Sequence, residues 1–414
     1  MKKYWNHRVS FWLRIIVLFC GILVNISLIN NYRNVSSDFV QDYISANSLR
    51  RGVSLYGEEI KKLENEMLGF NGPPRFHPPF NAILFSPFAF LSYNKAFVVL
   101  DIVSLILLLL INQLVVRGLE LNGEWFLNLT CFSLYWYPVF YCLGTGQSSM
   151  IIAACIIGGW FCLRFKKAYI AGMLFAIATL MKLFPGLVLL YLIIRKNWRA
   201  FFATVSFIIL GLFITAFIIG FDDIRTYSIT MIGRFANEWS GFVLNHSLNG
   251  VITRLFGERS VWTEPLIQLP RIKSLLVILL NSTILIYTIL KMREMAVKQE
   301  LVDYAFGLMI VAMLLLSPIT WGHIFPVLIL PLSILLRNYI REPSPRRLCI
   351  LLFIILLLSL PDVLIARRLM AIHHPLRMPW YSMLLTLGPS AGIVLLWIVL
   401  ARRVGDSRVR IGKC

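Results

Sequence analysis

The stretch "KAFVVLDIVSLILLLLINQLVVRGLELNG", Lys95–Gly123, sets the class of fold. Its first 22 residues contain a single acid, Asp101, and no base after Lys95. As a helix rising 1.5 Å per residue they cover about 33 Å, enough to cross the hydrocarbon of a bilayer. A short polar loop with Arg117 and Glu120 follows, and then a new apolar run begins. Working outward, the pattern repeats near 11–30, 124–143, 148–163, 168–183, 185–195, 200–220, 274–291, 302–319, 324–337, 347–365 and 381–401. The expected fold is an all-α polytopic membrane protein with about 12 transmembrane helices (10–13), since short apolar runs are ambiguous by pattern.

Composition agrees: of 414 residues, 58% are apolar and 14% charged, whereas soluble domains carry about a quarter charged. The run after Phe11 has basic flanks and no small-residue cleavage site, so it reads as an uncleaved span. Seven cysteines, six of them in apolar runs and none in a CxxC pair, show neither a disulfide framework nor a zinc site.

The net charge of +20 is explained by topology. With the N-terminus inside, the inner segments, from "MKKYWNHR" to "RRVGDSRVRIGKC", hold 22 Lys/Arg against 5 Asp/Glu. The outer segments are balanced, 6 against 6 in 31–78 and 6 against 5 in 221–273. This positive-inside asymmetry places both termini in the cytoplasm of a plasma or inner membrane and calls for no nucleic-acid partner. The same orientation puts the unusual polar stretches on the outer face. They are Asp38 and Asp42, "RFHPPF" (75–80), "GTGQSS" (144–149), "MKLFP" (181–185), "RFANEWSGFVLNHSLNG" (234–250) and "SPITWGH" (317–323). From Asp38 to about Arg50 the pattern is helical and Gly52 ends it, which suggests an amphipathic surface helix with its aspartates toward water or a cavity. "HPPFNAILFSPFAFLS" is too short and proline-broken to span, and reads as a re-entrant or interfacial pair.

Taken in order, these pieces resemble glycosyltransferase family 87 of the GT-C superfamily, the polyprenyl-phosphate-mannose-dependent α-mannosyltransferases. "SDFVQDYISANSLRRGVSLYG" is similar to the family's acidic loop, "HPPFNAILFSPFAFL" to its proline-rich segment, and "GQSSMIIAACIIGGW" to its GQ segment. "MKLFPGLVLLYLIIRKNW", "NHSLNGVITRL" and "SPITWGH" continue the series, with His246 where the family often has Gln and Ile324 in place of a second histidine. The resemblance implies one integral-membrane domain over 1–414, its site carried by outer segments about 31–94 and 221–273. It implies inverting, metal-independent transfer of a hexose, mannose by default, from a polyprenyl-phosphate donor to a glycan or glycolipid hydroxyl. It implies no cofactor, and membrane lipid as surroundings.

By position alone Asp38 is a first-turn acid that suits a helix dipole, and Lys182 is a lysine snorkelling to the interface. The resemblance makes Asp38 the catalytic base and assigns Lys182, His323, Arg75, His77 and Arg254 to the donor phosphate or sugar. Asp42, Gln147, Asn245, His246, Trp321 and Asp101 become acceptor contacts or supports. The alternative is a polytopic transporter or flippase; against it, the chain shows no paired halves and its polar signatures share one face.

Overall fold

A computed structural model describes residues 2–32, 38–69, 76–260, 264–373 and 386–411, and among these the secondary structure is helical, without strands. Helix α1 (Lys2–Tyr32) carries the first apolar run. It leans on the later helices through Asn25, whose side chain donates to the carbonyls of Gly21 and Leu134 at 2.8 and 3.0 Å. Helix α2 (Phe39–Arg51) is closed by Gly52 in the left-handed region, as the sequence suggests. It is not the surface helix expected: Phe39 to Ile44 are all buried. Phe39 is the reason, since its ring is enclosed by Phe85, Phe88, Tyr93 and Phe97 at centroid distances of 5.8–6.2 Å. An amphipathic α3 (Glu58–Leu68) follows, burying Ile60 and Leu63.

The proline-broken segment forms a five-residue α4 (Phe80–Leu84) and a 3₁₀ turn, Ser86–Phe90, packed on α2. Helix α5 (Tyr93–Gly118) is the long apolar span of the opening stretch. The run expected at 124–143 is two helices, α6 (Glu124–Tyr135) and α7 (Tyr137–Gly144), because Pro138 cannot continue a helix but suits the start of one. Helices α8 (Ser149–Arg164), α9 (Ala168–Met181) and α11 (Trp198–Ile219) pack closely, with a short α10 (Val188–Ile194) between the last two. Gly172 makes this possible: a Cβ there would sit 2.5 Å from the Ala203 side chain.

The second long segment between apolar runs, 221–273, is also helical in its described part. It contains α12 (Phe221–Thr226), a π-helical turn Tyr227–Met231, α13 (Ile232–Glu238) and α14 (Leu248–Phe256). Then come α15 (Pro270–Ala296), α16 (Val302–Leu316), a 3₁₀ segment Gly322–Leu328 and α17 (Ile329–Arg341). The run expected at 347–365 stops early: α18 (Pro345–Leu358) ends before Pro361, and α19 (Asp362–His373) starts after it. The last helix is α20 (Gly388–Ile411); the first part of the expected 381–401 span lies outside the described residues.

Five helical stretches among the described residues are long and apolar enough to cross a bilayer: 93–118, 198–219, 270–296, 299–316 and 322–341. Their burial separates two roles. Helix α16 is buried along almost its whole length, while α11 and α15 leave Phe213, Phe217, Leu275 and Ile278 exposed. Bare apolar side chains in such numbers belong against lipid, and α16 belongs at the centre of the bundle. The register of α16 is fixed at its first turn. There Asp303 accepts from Trp160 and from Arg164 of α8 and pairs with Arg337 of α17, all at 2.8–3.1 Å. The other end of α16, at Leu316, opens on the candidate site.

Candidate active site

The site grows from the burial of Phe39. Its backbone N–H donates to the Thr145 carbonyl at 3.4 Å, so the turn after α7 rests on the start of α2. Gly146, at φ +64°, lets that turn close; a Cβ there would lie 2.7 Å from the Phe97 ring and 2.8 Å from the Phe39 Cβ. The next residue, Gln147, then reaches the residue before Phe39 and its amide N–H donates to the Asp38 carboxylate. Burial raises the Asp38 carboxyl above the ordinary carboxylate range; the Gln147 bond and the positive fields of His77 and Lys182 oppose that rise.

One turn along α2, the buried Asp42 accepts from Asn81 Nδ2 at 3.1 Å and meets His77 Nδ1 at 2.7 Å. His77 is held at both ends of its residue. Gln41 Oε1 accepts the preceding Phe76 N–H at 3.2 Å, and the Tyr56 hydroxyl donates to the His77 carbonyl at 2.7 Å. From the far side, α9 ends at Lys182 because the chain turns extended there (φ −149°, ψ 141°) ahead of Pro185. The fourth wall is the segment after α16, Ser317 to His323.

These pieces enclose a cavity of about 420 Å³. Asp38, His77, Gln147, Lys182 and His323 give it a polar lining, and Leu183, Phe184, Leu187, Met313 and Leu316 an apolar one. Trp239, Trp321 and Phe235 form an aromatic wall, with the two indoles 5.7 Å apart and His323 5.5 Å from Trp321. Helices separated by more than a hundred residues thus place a carboxylate, a lysine and two imidazoles around one space that also has a hydrocarbon-like flank. That combination suits an amphiphile with an anionic head.

Several residues singled out from the sequence stand elsewhere. Asn245 is a pin behind the wall: its amide donates to the carbonyls of Ser240 and Pro318, each at 3.0 Å, and its oxygen accepts from the N–H groups of Ser247 and Thr320. His246 does not line the cavity; it is buried between Asp362 at 2.6 Å and Ser390 at 3.3 Å, tying α19 and α20 to the 317–321 segment. Arg254 likewise turns inward and donates to the carbonyls of Phe242 and Asn245, its guanidinium lowered to about 10 by burial. Arg254, expected at the phosphate, is not among the residues that line the cavity. Asp101 is buried on α5 without lining the cavity, and neither of its oxygens has a partner among the described residues. Asp42 faces His77 rather than Asp38 or open solvent, and Arg75 lies outside the described residues.

Gln41, Tyr227, Phe235 and Trp239 line the cavity as well. Trp239 reads from sequence as an interfacial-belt residue, and only the fold of α13 over the cavity distinguishes it. Leu183, Phe184 and Leu187 carried a usable signal, since they adjoin Lys182 in one proline-broken segment.

A helical membrane protein with lipid-facing outer spans and a buried, charged cavity at the end of its central helix is the class these observations define. Residues 76–318 match the model of glycosyltransferase family 87, and the chain belongs to that family. It is similar to a polyprenol-phosphate-mannose-dependent alpha-(1-2)-phosphatidylinositol mannoside mannosyltransferase of Mycobacterium tuberculosis (strain ATCC 25618 / H37Rv), 27% identical over 164 residues. The similarity spans 36% of this chain and 37% of that relative's length.

Proposed function

We propose that this protein is a membrane glycosyltransferase that moves a hexose, mannose by analogy with the relative's name, from a polyprenyl phosphate to a hydroxyl of a glycan or glycolipid. The reaction takes place on the outer face, in a twelve-span topology with both termini inside. The observation that carries this reading is the meeting of Asp38, Lys182 and His323 in one cavity with an apolar flank.

Each group has a task that its surroundings support. Asp38 takes the proton of the incoming hydroxyl; the Gln147 bond helps it stay ionised despite burial, and positioned bases of this kind contribute about 10²–10⁴-fold. Lys182 offsets the negative charge that collects on the departing phosphate, an electrostatic contribution that is large in a water-poor site. Leu183, Phe184 and Leu187, next along the chain, receive the first prenyl units. His323 and Trp321 flank the sugar. Attack and departure occur on opposite faces of the anomeric carbon, so configuration inverts. The donor already holds an activated sugar–phosphate bond, so transfer needs no divalent cation.

The test is transfer of radiolabelled sugar in sealed membrane vesicles, from a panel of polyprenyl-phosphate sugars, with and without EDTA. Transfer from one donor supplied on the outer face and unaffected by EDTA supports the reading. A requirement for nucleotide sugar on the inner face contradicts it.

A further inference from the structure

We propose that His77, backed by Asp42, is a second catalytic group of this cavity, carrying as an imidazolium the proton that meets the phosphate as the sugar leaves. The proposal rests on the transferase reading and gives that reaction an acid to match its base.

Asp42 holds Nδ1 of His77 at 2.7 Å and is itself fixed by Asn81. With Nδ1 committed, Nε2 is the nitrogen left for the cavity that His77 lines. The backbone bonds from Tyr56 and to Gln41 on either side of the ring's attachment make the placement a built one. An imidazole fixed by a carboxylate on one nitrogen and open at the other is arranged to hold and deliver a proton.

His77 shares its surroundings with Asp42 and Asp38 of the α2 start, Lys182 after α9, His323 after α16, Tyr56 before α3 and Tyr227 of the π turn. A phosphate diester brought here adds negative charge beside Asp42 and Asp38, so a proton offered from His77 favours its binding. The need grows during the reaction. The acceptor O–H bond breaks and its proton goes to Asp38 as the acceptor oxygen bonds to the anomeric carbon. In the same displacement the bond from that carbon to the phosphate oxygen breaks, its electron pair staying on the phosphate, which passes from one negative charge toward two. The Nε2 proton of His77 meets that oxygen.

The proposal is tested on purified full-length protein with citronellyl sulfate, a short prenyl anion of fixed charge, and by transfer assays. Wild type is expected to bind the sulfate at least about tenfold more tightly than His77→Gln, with His77→Lys keeping tight binding and Asp42→Asn falling between. Transfer should fall in His77→Gln and Asp42→Asn in the same order. His77→Gln that binds the sulfate as tightly as wild type overturns the proposal even if transfer is lowered. Binding that follows these variants, with no sugar transferred by the wild type from any polyprenyl phosphate, overturns the transferase reading and the leaving-group role with it.

Discussion

Replacing Asn245 by Ala tests whether the wall of the cavity is held from behind. Four buried hydrogen bonds end on this side chain. The Pro318 carbonyl keeps other donors, Ser247 Oγ and Asn249 Nδ2, so deletion leaves three groups newly bare: the Ser240 carbonyl and the N–H groups of Ser247 and Thr320. Each buried orphan costs about 1–3 kcal/mol, and a water entering the vacated volume recovers part of that. The net loss is about 3–5 kcal/mol, a drop on the order of 10 °C in melting temperature at about 2–4 °C per kcal/mol. Because Thr320 lies between Pro318 and Trp321, which line the cavity, transfer should fall in protein that remains folded. The assay is fluorescence-detected thermal melting in detergent beside vesicle transfer at a temperature where the variant is intact. Asn245→Asp keeps one acceptor but sets its second oxygen against the Ser240 and Pro318 carbonyls, so it should lose at least as much as Asn245→Ala. A melting temperature within about 2 °C of wild type, with normal transfer, would refute the clamp.

Further outcomes follow from the same geometry. Gly146→Ala places a methyl against Phe97 and Phe39 at a positive φ, costing about 1–2 kcal/mol for the backbone and about 1–3 kcal/mol for overpacking, read as a lowered melting point. Burial raises the Asp38 carboxyl in the folded protein, so a base at this position gives a rate that climbs with pH through a limb above the usual carboxylate range. Gln147→Leu removes a bond to the charged form and moves that limb higher still in a pH–rate profile. The sign for stability is opposite: the folded protein binds this proton more tightly than the unfolded chain, so stability falls as pH rises through the limb, and Asp38→Asn should raise the melting point near neutral pH. Lys182→Gln should lower transfer by about 10²–10³-fold, with Lys182→Arg retaining more, in the same vesicle assay.

Much of the fold was legible because bilayer-crossing helices announce themselves by length and hydropathy, and because Gly52 marks the stop of α2. Breaks within apolar runs were less legible. Pro138 splits α6 from α7 and Pro361 splits α18 from α19, while hydropathy averages across both. The burial of α2 was hidden for another reason: its polar residues satisfy partners on other segments, as Asp42 does with His77 and Asn81. In the site, Asp38, Lys182 and His323 were visible as ionisable residues beside helix ends. His246 and Arg254 carry the same outward signs, and Asn245 stands in the same polar stretch. Only the coordinates separate residues that line a cavity from residues that brace it, because bracing depends on carbonyls such as those of Ser240 and Pro318, which no side-chain pattern encodes.

The most direct measurement is the single-turnover rate of sugar transfer from polyprenyl-phosphate sugar by Asp38→Asn, with donor affinity measured on the same preparation. Loss of about 10²-fold or more in rate, with donor affinity retained, is the predicted result. A rate equal to wild type would contradict the assignment of the base and the account built on it.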